Sequence, residues 1–149
     1  MSLIMKKPSP YLTFAGAIPF VVCAIFITLG IDAVIGLGKT VEILAAYGLV
    51  IASFMAGAHW GNHLGLADED AWALRLPIFS NIIAILLWLG FLSLSEVGFI
   101  WLLVISFISL LIIDYGLNNA QIIDDKYFTV RKYVTLIVVA SLMVAALQL

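Results

Sequence analysis

The sequence predicts an all-α integral membrane protein, a compact bundle of five transmembrane helices in one domain over residues 1–149. Of these residues, 64% are hydrophobic and only 11% are charged, and the mean hydropathy is +1.20. An ordinary soluble domain has about 45–50% apolar and about 25% charged residues. A chain of 16.2 kDa cannot hide this surplus in its own core. The surplus therefore has to face lipid.

Charge and cysteine content exclude several classes of function. The formal net charge is −2, so no cationic surface is available to neutralise the phosphates of a nucleic acid. The single cysteine, Cys23, excludes an intramolecular disulfide and a cysteine-rich metal site. The bilayer is the expected partner, and the composition points to no particular cofactor.

Five apolar stretches are long enough to cross the membrane, which takes ~20 residues for ~30 Å of hydrocarbon. They cover residues 11–31, 41–63, 77–94, 97–117 and 129–147. The charged residues are assigned to the connectors and tails, with Glu42, Arg131 and Lys132 at the starts of their spans counted among them, and Asp114 is taken as the exception inside a span. Ionisable residues within a membrane are costly and are functional candidates by default.

The first stretch follows Lys6 and Lys7 and could be mistaken for a secretory signal. Its apolar run is about twenty residues long and lacks a small-residue cleavage site, whereas the apolar region of a signal peptide has about 7–15 residues. We therefore expect a retained helix. Pro19 lies in the middle of this span and is expected to kink it, because proline removes one backbone hydrogen bond.

The second stretch carries two rows of small residues on opposite sides of the predicted helix. The first row is Gly48, Ala52 and Ala56 and continues into His59 and His63; the second is Ser53, Gly57 and Gly61. Small residues let helix backbones approach closely in lipid. We therefore expect this helix to be central and to pack on both sides.

The connector before the third stretch is predicted to contain a short interfacial helix over residues 68–76. Its acidic residues lie at the N-terminal end, where the helix dipole favours them, and Trp72 suits the level of the lipid head groups. Pro77 is then expected in the first turn of the third span, where a missing N–H costs nothing.

Orientation follows from the cations beside the spans, because cytoplasmic segments carry an excess of Lys and Arg. An inside N-terminus gives Lys39 alone on the outer side and six cations on the cytoplasmic side: Lys6, Lys7, Arg75, Lys126, Arg131 and Lys132. The sequence therefore predicts a cytoplasmic N-terminus and a C-terminus on the far side.

Polar side chains gather at the cytoplasmic ends of the predicted helices. The candidate ligand-binding residues are His59, His63, Asn81, Asp114 and Asn118, with Trp60 and Tyr115 at the opening. We expect them to surround a cleft between the second, third and fourth helices. Thr13 and Tyr127 come from the first and fifth helices at the same level.

Three interpretations of this cluster remain open. The polar groups could simply lock the helices together. They could instead bind a small hydrophobic ligand or a proton, such as a quinone, a lipid head group or a haem propionate. Finally, His59, His63 and Asp114 could hold a metal ion as two imidazoles and one carboxylate in a membrane enzyme. We favour a non-enzymatic accessory or ligand-binding protein, in a membrane complex or homo-oligomer.

Several strings resemble one family. They are residues 47–61 (YGLVIASFMAGAHWG), residues 16–20 (GAIPF), Asp114 near the end of the fourth span, and residues 130–135 (VRKYVT). Together they resemble domain of unknown function 3429, shared by mitochondrial transmembrane protein sixty-nine and by proteobacterial inner-membrane proteins. The resemblance implies a small multi-pass protein of the bacterial inner membrane, and the orientation predicted from the cations then puts the C-terminus in the periplasm. It implies no catalytic residue.

Overall fold

The structure is a computed structural model that describes residues 9–149. It is helical: α1 (Ser9–Ala15), α2 (Ile18–Thr28), α3 (Thr40–His63), α4 (Ala71–Ser93), α5 (Glu96–Asn119) and α6 (Asp125–Gln148). Five segments are long and apolar enough to cross a membrane, with α1 and α2 together forming the first, Pro10–Thr28. The prediction of five helical spans in a multi-pass membrane protein is confirmed.

The first span is broken between α1 and α2. Pro19 is the second residue of α2, a position where proline is tolerated because its missing N–H would have no partner inside the helix. The break therefore lies just before Pro19, at Gly16 and Ala17, and not at the proline itself. The hydroxyl of Tyr47 on α3 donates to the carbonyl oxygen of Gly16 at 3.0 Å, which gives this interrupted backbone a partner.

A short β-hairpin, with two residues in each strand, joins α2 to α3. Its antiparallel strands are β1 (Ala33–Val34) and β2 (Gly38–Lys39), and Gly36 adopts a φ of 82° in the turn, which a residue with a Cβ rarely does. The Nζ of Lys39 lies 3.3 Å from the carboxylate of Glu96 and 3.4 Å from that of Glu42. Hydrogen bonds to these carboxylates raise the pKa of Lys39. The hairpin is thereby tied to the start of α5.

The predicted interfacial helix is not a separate element, because residues 71–76 are the first turns of α4. Asp70 caps this helix by accepting from the backbone N–H of Trp72 at 2.8 Å, so the helix begins at Ala71 and not in the run of acids. Pro77 is consequently the seventh residue of α4 and lies inside the helix. The expectation of a first-turn proline was wrong. Proline inside a transmembrane helix is tolerated when neighbouring groups hold the helix together.

The helices pack so that α3 contacts α2, α4 and α5, while α6 contacts α1, α2 and α5. On the first small-residue row of α3, Ala52 and Ala56 are buried, and a Cβ added to Gly48 would lie 2.5 Å from the Cδ1 of Leu103. A Cβ on Gly57 or Gly61 would meet no atom within 4 Å. Within residues 9–149, the expectation that both rows pack is therefore not met at Gly57 and Gly61, which are exposed, whereas Ser53 of the same row is half-buried.

Candidate functional site

Three side chains from three helices meet at one buried carboxylate. The Nε2 of His59 on α3 lies 2.7 Å from Oδ1 of Asp114 on α5, and the Nε of Arg131 on α6 donates to Oδ2 of the same carboxylate at 2.9 Å. Asp114 is 1% exposed, His59 4% and Arg131 7%. Both carboxylate oxygens are therefore used, one by each partner.

Arg131 is the residue that the sequence interpretation misplaced. It was assigned to the cytoplasmic connectors, but it is the seventh residue of α6 and is buried. Its Nη1 also lies 3.3 Å from the sulfur of Met55. The pattern Tyr127, Arg131, Thr135 puts these three side chains on one face of the helix, because residues four apart are neighbours. A buried aspartate that needs a cation, together with this spacing, was the signal that could have identified Arg131.

A cavity of about 440 Å³ lies beside these groups, among α1, α2, α3, α5 and α6. Its polar wall is formed by Thr13, His59, Tyr127, Arg131 and Thr135, and its apolar wall includes Phe20, Phe54, Met55 and Phe107. Asp114 is not part of the lining. The carboxylate therefore stands behind His59 and Arg131 as seen from the cavity.

Two residues that line this cavity each carry a buried polar atom without a partner among the described residues. The atoms are Nδ1 of His59 and Oγ1 of Thr135. Buried polar groups in native proteins are nearly always hydrogen-bonded, so each exception calls for an explanation. The size of the cavity falls in the ~300–1,000 Å³ range of small-molecule sites.

His63 and Trp60 do not join the buried group. The Nδ1 of His63 contacts the carbonyl oxygen of Trp60, and the two rings meet edge to face with centroids 5.0 Å apart. Residues 9–149 contain no group of three His, Cys, Asp or Glu side chains placed to hold a metal ion. The geometry therefore brings His59 to Asp114 but leaves His63 out of that pair.

The other candidate residues make local contacts. Asn81 is exposed and donates to the carbonyl oxygen of Pro77 in its own helix at 2.9 Å. Asn118 donates to the carboxylate of Asp125 at 2.9 Å, and Tyr115 is 56% exposed. No residue of α4 lines the cavity. This cavity therefore has no wall from α4, the third span, and differs in this from the predicted cleft between the second, third and fourth helices.

Comparison with protein families gives one match, to a family described as "Protein of unknown function (DUF3429)", over residues 5–147. No curated protein and no solved structure matches the chain.

Proposed function

The chain belongs to the DUF3429 family of proteins of unknown function, and on this premise we propose a function from the site itself. The protein binds a small hydrophobic ligand in the cavity among α1, α2, α3, α5 and α6, with the polar end of the ligand at His59, Arg131 and Thr135. It acts as a non-enzymatic binding protein of the membrane. The proposal rests on one observation, that two residues of the cavity wall each carry an unpartnered buried polar atom, Nδ1 of His59 and Oγ1 of Thr135.

The energetics favour a ligand at this place. A buried polar atom without a hydrogen bond costs about 1–3 kcal/mol, and two residues of the cavity wall carry one such atom each. A ligand that supplies a partner to each atom recovers that free energy, and its apolar part covers the aromatic wall. The exposed side chains of Leu12 and Phe54 belong to the same lining, so the cavity is reached from the lipid-facing surface.

Filling the cavity tests the proposal. Ala58 lines the cavity, whereas Ala46 lies on the same helix, is exposed, and is absent from the lining. We expect native mass spectrometry of the full-length protein in mild detergent to detect a bound small molecule in the wild type and in Ala46→Trp. The same mass should be lost in Ala58→Trp. Equal occupancy of the two variants, or no bound molecule in any of them, would overturn the proposal.

A second function, an accessory subunit of a membrane complex, is favoured by the uncovered row on α3. Within residues 9–149, Gly57 and Gly61 of this row are exposed and a Cβ on either would meet nothing within 4 Å, while Ser53 is half-buried. Small residues suit close helix contact in lipid. On this proposal another membrane helix covers the row. Gly57→Leu should then separate a partner, or a second copy, that co-purifies in mild detergent, and the absence of any stoichiometric partner would count against it.

We also propose the bacterial inner membrane as the location, with the N-terminus in the cytoplasm. The cavity end of the bundle carries Arg75, Lys126 and Lys132 in or beside its connectors, and the hairpin end carries Lys39. Lys6 and Lys7, on which the predicted orientation also depends, lie outside the described residues. With Arg131 removed from the count, the described cations still favour the cavity end as cytoplasmic.

A further inference from the structure

The chemistry of the cavity wall identifies the class of ligand, on the premise that the cavity binds one. We propose that the ligand is an amphiphilic carboxylic acid, such as a fatty acid. It enters from the lipid in its neutral form and gives its proton to Nδ1 of His59. The resulting carboxylate is held by Arg131 and Thr135.

Asp114 determines which nitrogen of His59 carries a proton. An arginine in a protein is always protonated, so Asp114, its partner at 2.9 Å, is the ionised carboxylate. A carboxylate only accepts hydrogen bonds. The Nε2 of His59, 2.7 Å from the other oxygen, therefore carries a hydrogen. In the neutral imidazole Nδ1 is then a bare acceptor that faces no donor among the described residues.

The ligand consequently needs a donor as well as an acceptor. An O–H group donates to Nδ1 of His59, and an acceptor oxygen takes the hydroxyl hydrogen of Thr135. The guanidinium of Arg131 uses Nε and Nη1 in its protein contacts, which leaves Nη2 for a further acceptor oxygen. A carboxylic acid supplies all of these groups on one carbon, whereas the carbonyl oxygens of an oxidised quinone would leave Nδ1 unpartnered.

Charge balance favours binding of the neutral acid over binding of its carboxylate anion. The empty site holds Arg131 as a cation and Asp114 as an anion, so with neutral His59 its net charge is zero. When the acid binds, its O–H bond breaks and an Nδ1–H bond forms, which gives an imidazolium and a carboxylate. The net charge remains zero at every stage. No unpaired charge has to pass the apolar wall of the cavity, where burial of a lone charge is costly.

The test compares palmitic acid with its methyl ester, which has the same chain but no proton to give. Full-length protein in phospholipid nanodiscs should bind palmitic acid at least tenfold more tightly than methyl palmitate. Infrared spectra of palmitic acid labelled with carbon-13 at the carboxyl group should show the bound head group as a carboxylate. Equal affinity for the two compounds, or a bound acid that remains protonated, would overturn the proposal.

Two variants test His59 and Thr135, the residues proposed to accept the proton of the acid and to donate to its carboxylate. Glutamine can still donate an N–H to Asp114 but has no nitrogen that accepts a proton, so in His59→Gln the affinity should fall at least tenfold and any bound acid should remain protonated. Thr135→Val keeps the shape of a side chain whose hydroxyl has no protein partner. This variant should fold and bind several-fold more weakly. Unchanged affinity in both variants would contradict the assignment.

The outcomes separate this inference from the proposed function on which it rests. If Ala58→Trp abolishes binding of a native molecule but palmitic acid and methyl palmitate bind alike, the cavity is a ligand site and the carboxylic acid assignment fails. If no molecule depends on Ala58, both proposals fail.

Discussion

Asp114 is the residue on which the buried end of the bundle depends. It accepts from α3 through His59 and from α6 through Arg131, and it is itself part of α5. Taking charges out of water is expensive, and the attraction between them compensates only when the geometry is good and the remaining groups are hydrogen-bonded. Here both oxygens of Asp114 are used, so removal of Arg131 leaves a carboxylate charge that nothing neutralises, and removal of His59 leaves Oδ1 without its hydrogen bond.

The Arg131→Met variant tests this dependence. It keeps an unbranched apolar stem but removes the cation, so we expect a loss of about 3–5 kcal/mol in the free energy of unfolding, the usual cost of breaking a buried ion pair. The measurement is denaturation by SDS in mixed micelles. Lys132→Met is the matched control, because Lys132 is the next residue on α6 and is exposed.

The double variant Arg131→Met with Asp114→Asn removes both charges and should lose less stability than the sum of the two single variants, since contacting residues are not additive. If Arg131→Met and Lys132→Met lost the same stability, the ion pair would contribute nothing to the fold.

At the scale of the helices, close approach of α4 and α5 depends on Gly116. A Cβ added there would lie 2.5 Å from Cζ2 and 2.6 Å from Cη2 of Trp72. The indole ring is rigid and half-buried, so the ring or the helix has to move. Trp72 thus packs along α5, which holds the first turns of α4 in place before Pro77.

Gly116→Ala should therefore destabilise the protein by about 1–3 kcal/mol, the usual cost of overpacking. Gly61→Ala is the control, because its Cβ meets nothing within 4 Å and alanine is the better helix former by about 1 kcal/mol. Thermal unfolding in detergent, followed by circular dichroism, should lower the midpoint for Gly116→Ala and leave it equal or higher for Gly61→Ala. A reversed order would show that the two helices do not approach at Trp72.

Helices that are determined by a strong physical signal could be predicted from the sequence, whereas details that depend on one or two side chains could not. Hydropathy over some twenty residues identified all five spans, because lipid imposes that length. The position where a helix begins can depend on a single side chain. Here Asp70 accepts a hydrogen bond from the backbone of Trp72, so α4 begins at Ala71 and includes most of the predicted interfacial helix. The break near Pro19 was expected in kind, but its position depends on the residues that precede the proline.

Across the molecule, only half of the buried site, His59 and Asp114, could be predicted from the sequence. Depth and burial cost made His59 and Asp114 candidates from the sequence. Their neighbours Arg131 and Thr135 were not among them, since a cation near a helix end ordinarily extends to the membrane surface. Asn81 and His63 contact backbone carbonyl oxygens of their own helices. The spacing of residues in the sequence does not show which rotamer a side chain adopts.

The orientation of the whole bundle can be measured by labelling intact cells. In a Cys23→Ala background, Ile35→Cys places a thiol in the hairpin, where Ile35 is fully exposed, and Asp68→Cys places one in the connector before α4. A membrane-impermeant maleimide should label Ile35→Cys in intact cells and Asp68→Cys only after lysis, because the cations predict a cytoplasmic connector. The opposite pattern would invert the proposed orientation.

The order in which the three partners of the buried group are synthesised has a consequence for biogenesis. His59 and Asp114 leave the ribosome first, and Arg131 follows Asp114 by 17 residues. At a synthesis rate of about 5–20 residues per second, the 12 residues from Asn119, the last residue of α5, to Arg131 take roughly 0.6–2.4 s. If α5 entered the bilayer without α6, its aspartate would have only a histidine as a partner, so we expect α5 and α6 to enter the lipid together. A nascent chain truncated before Arg131 and extended by a linker long enough to bring α5 out of the ribosome should therefore remain crosslinked to the insertion machinery, whereas one that includes α6 should pass into the lipid as a finished bundle.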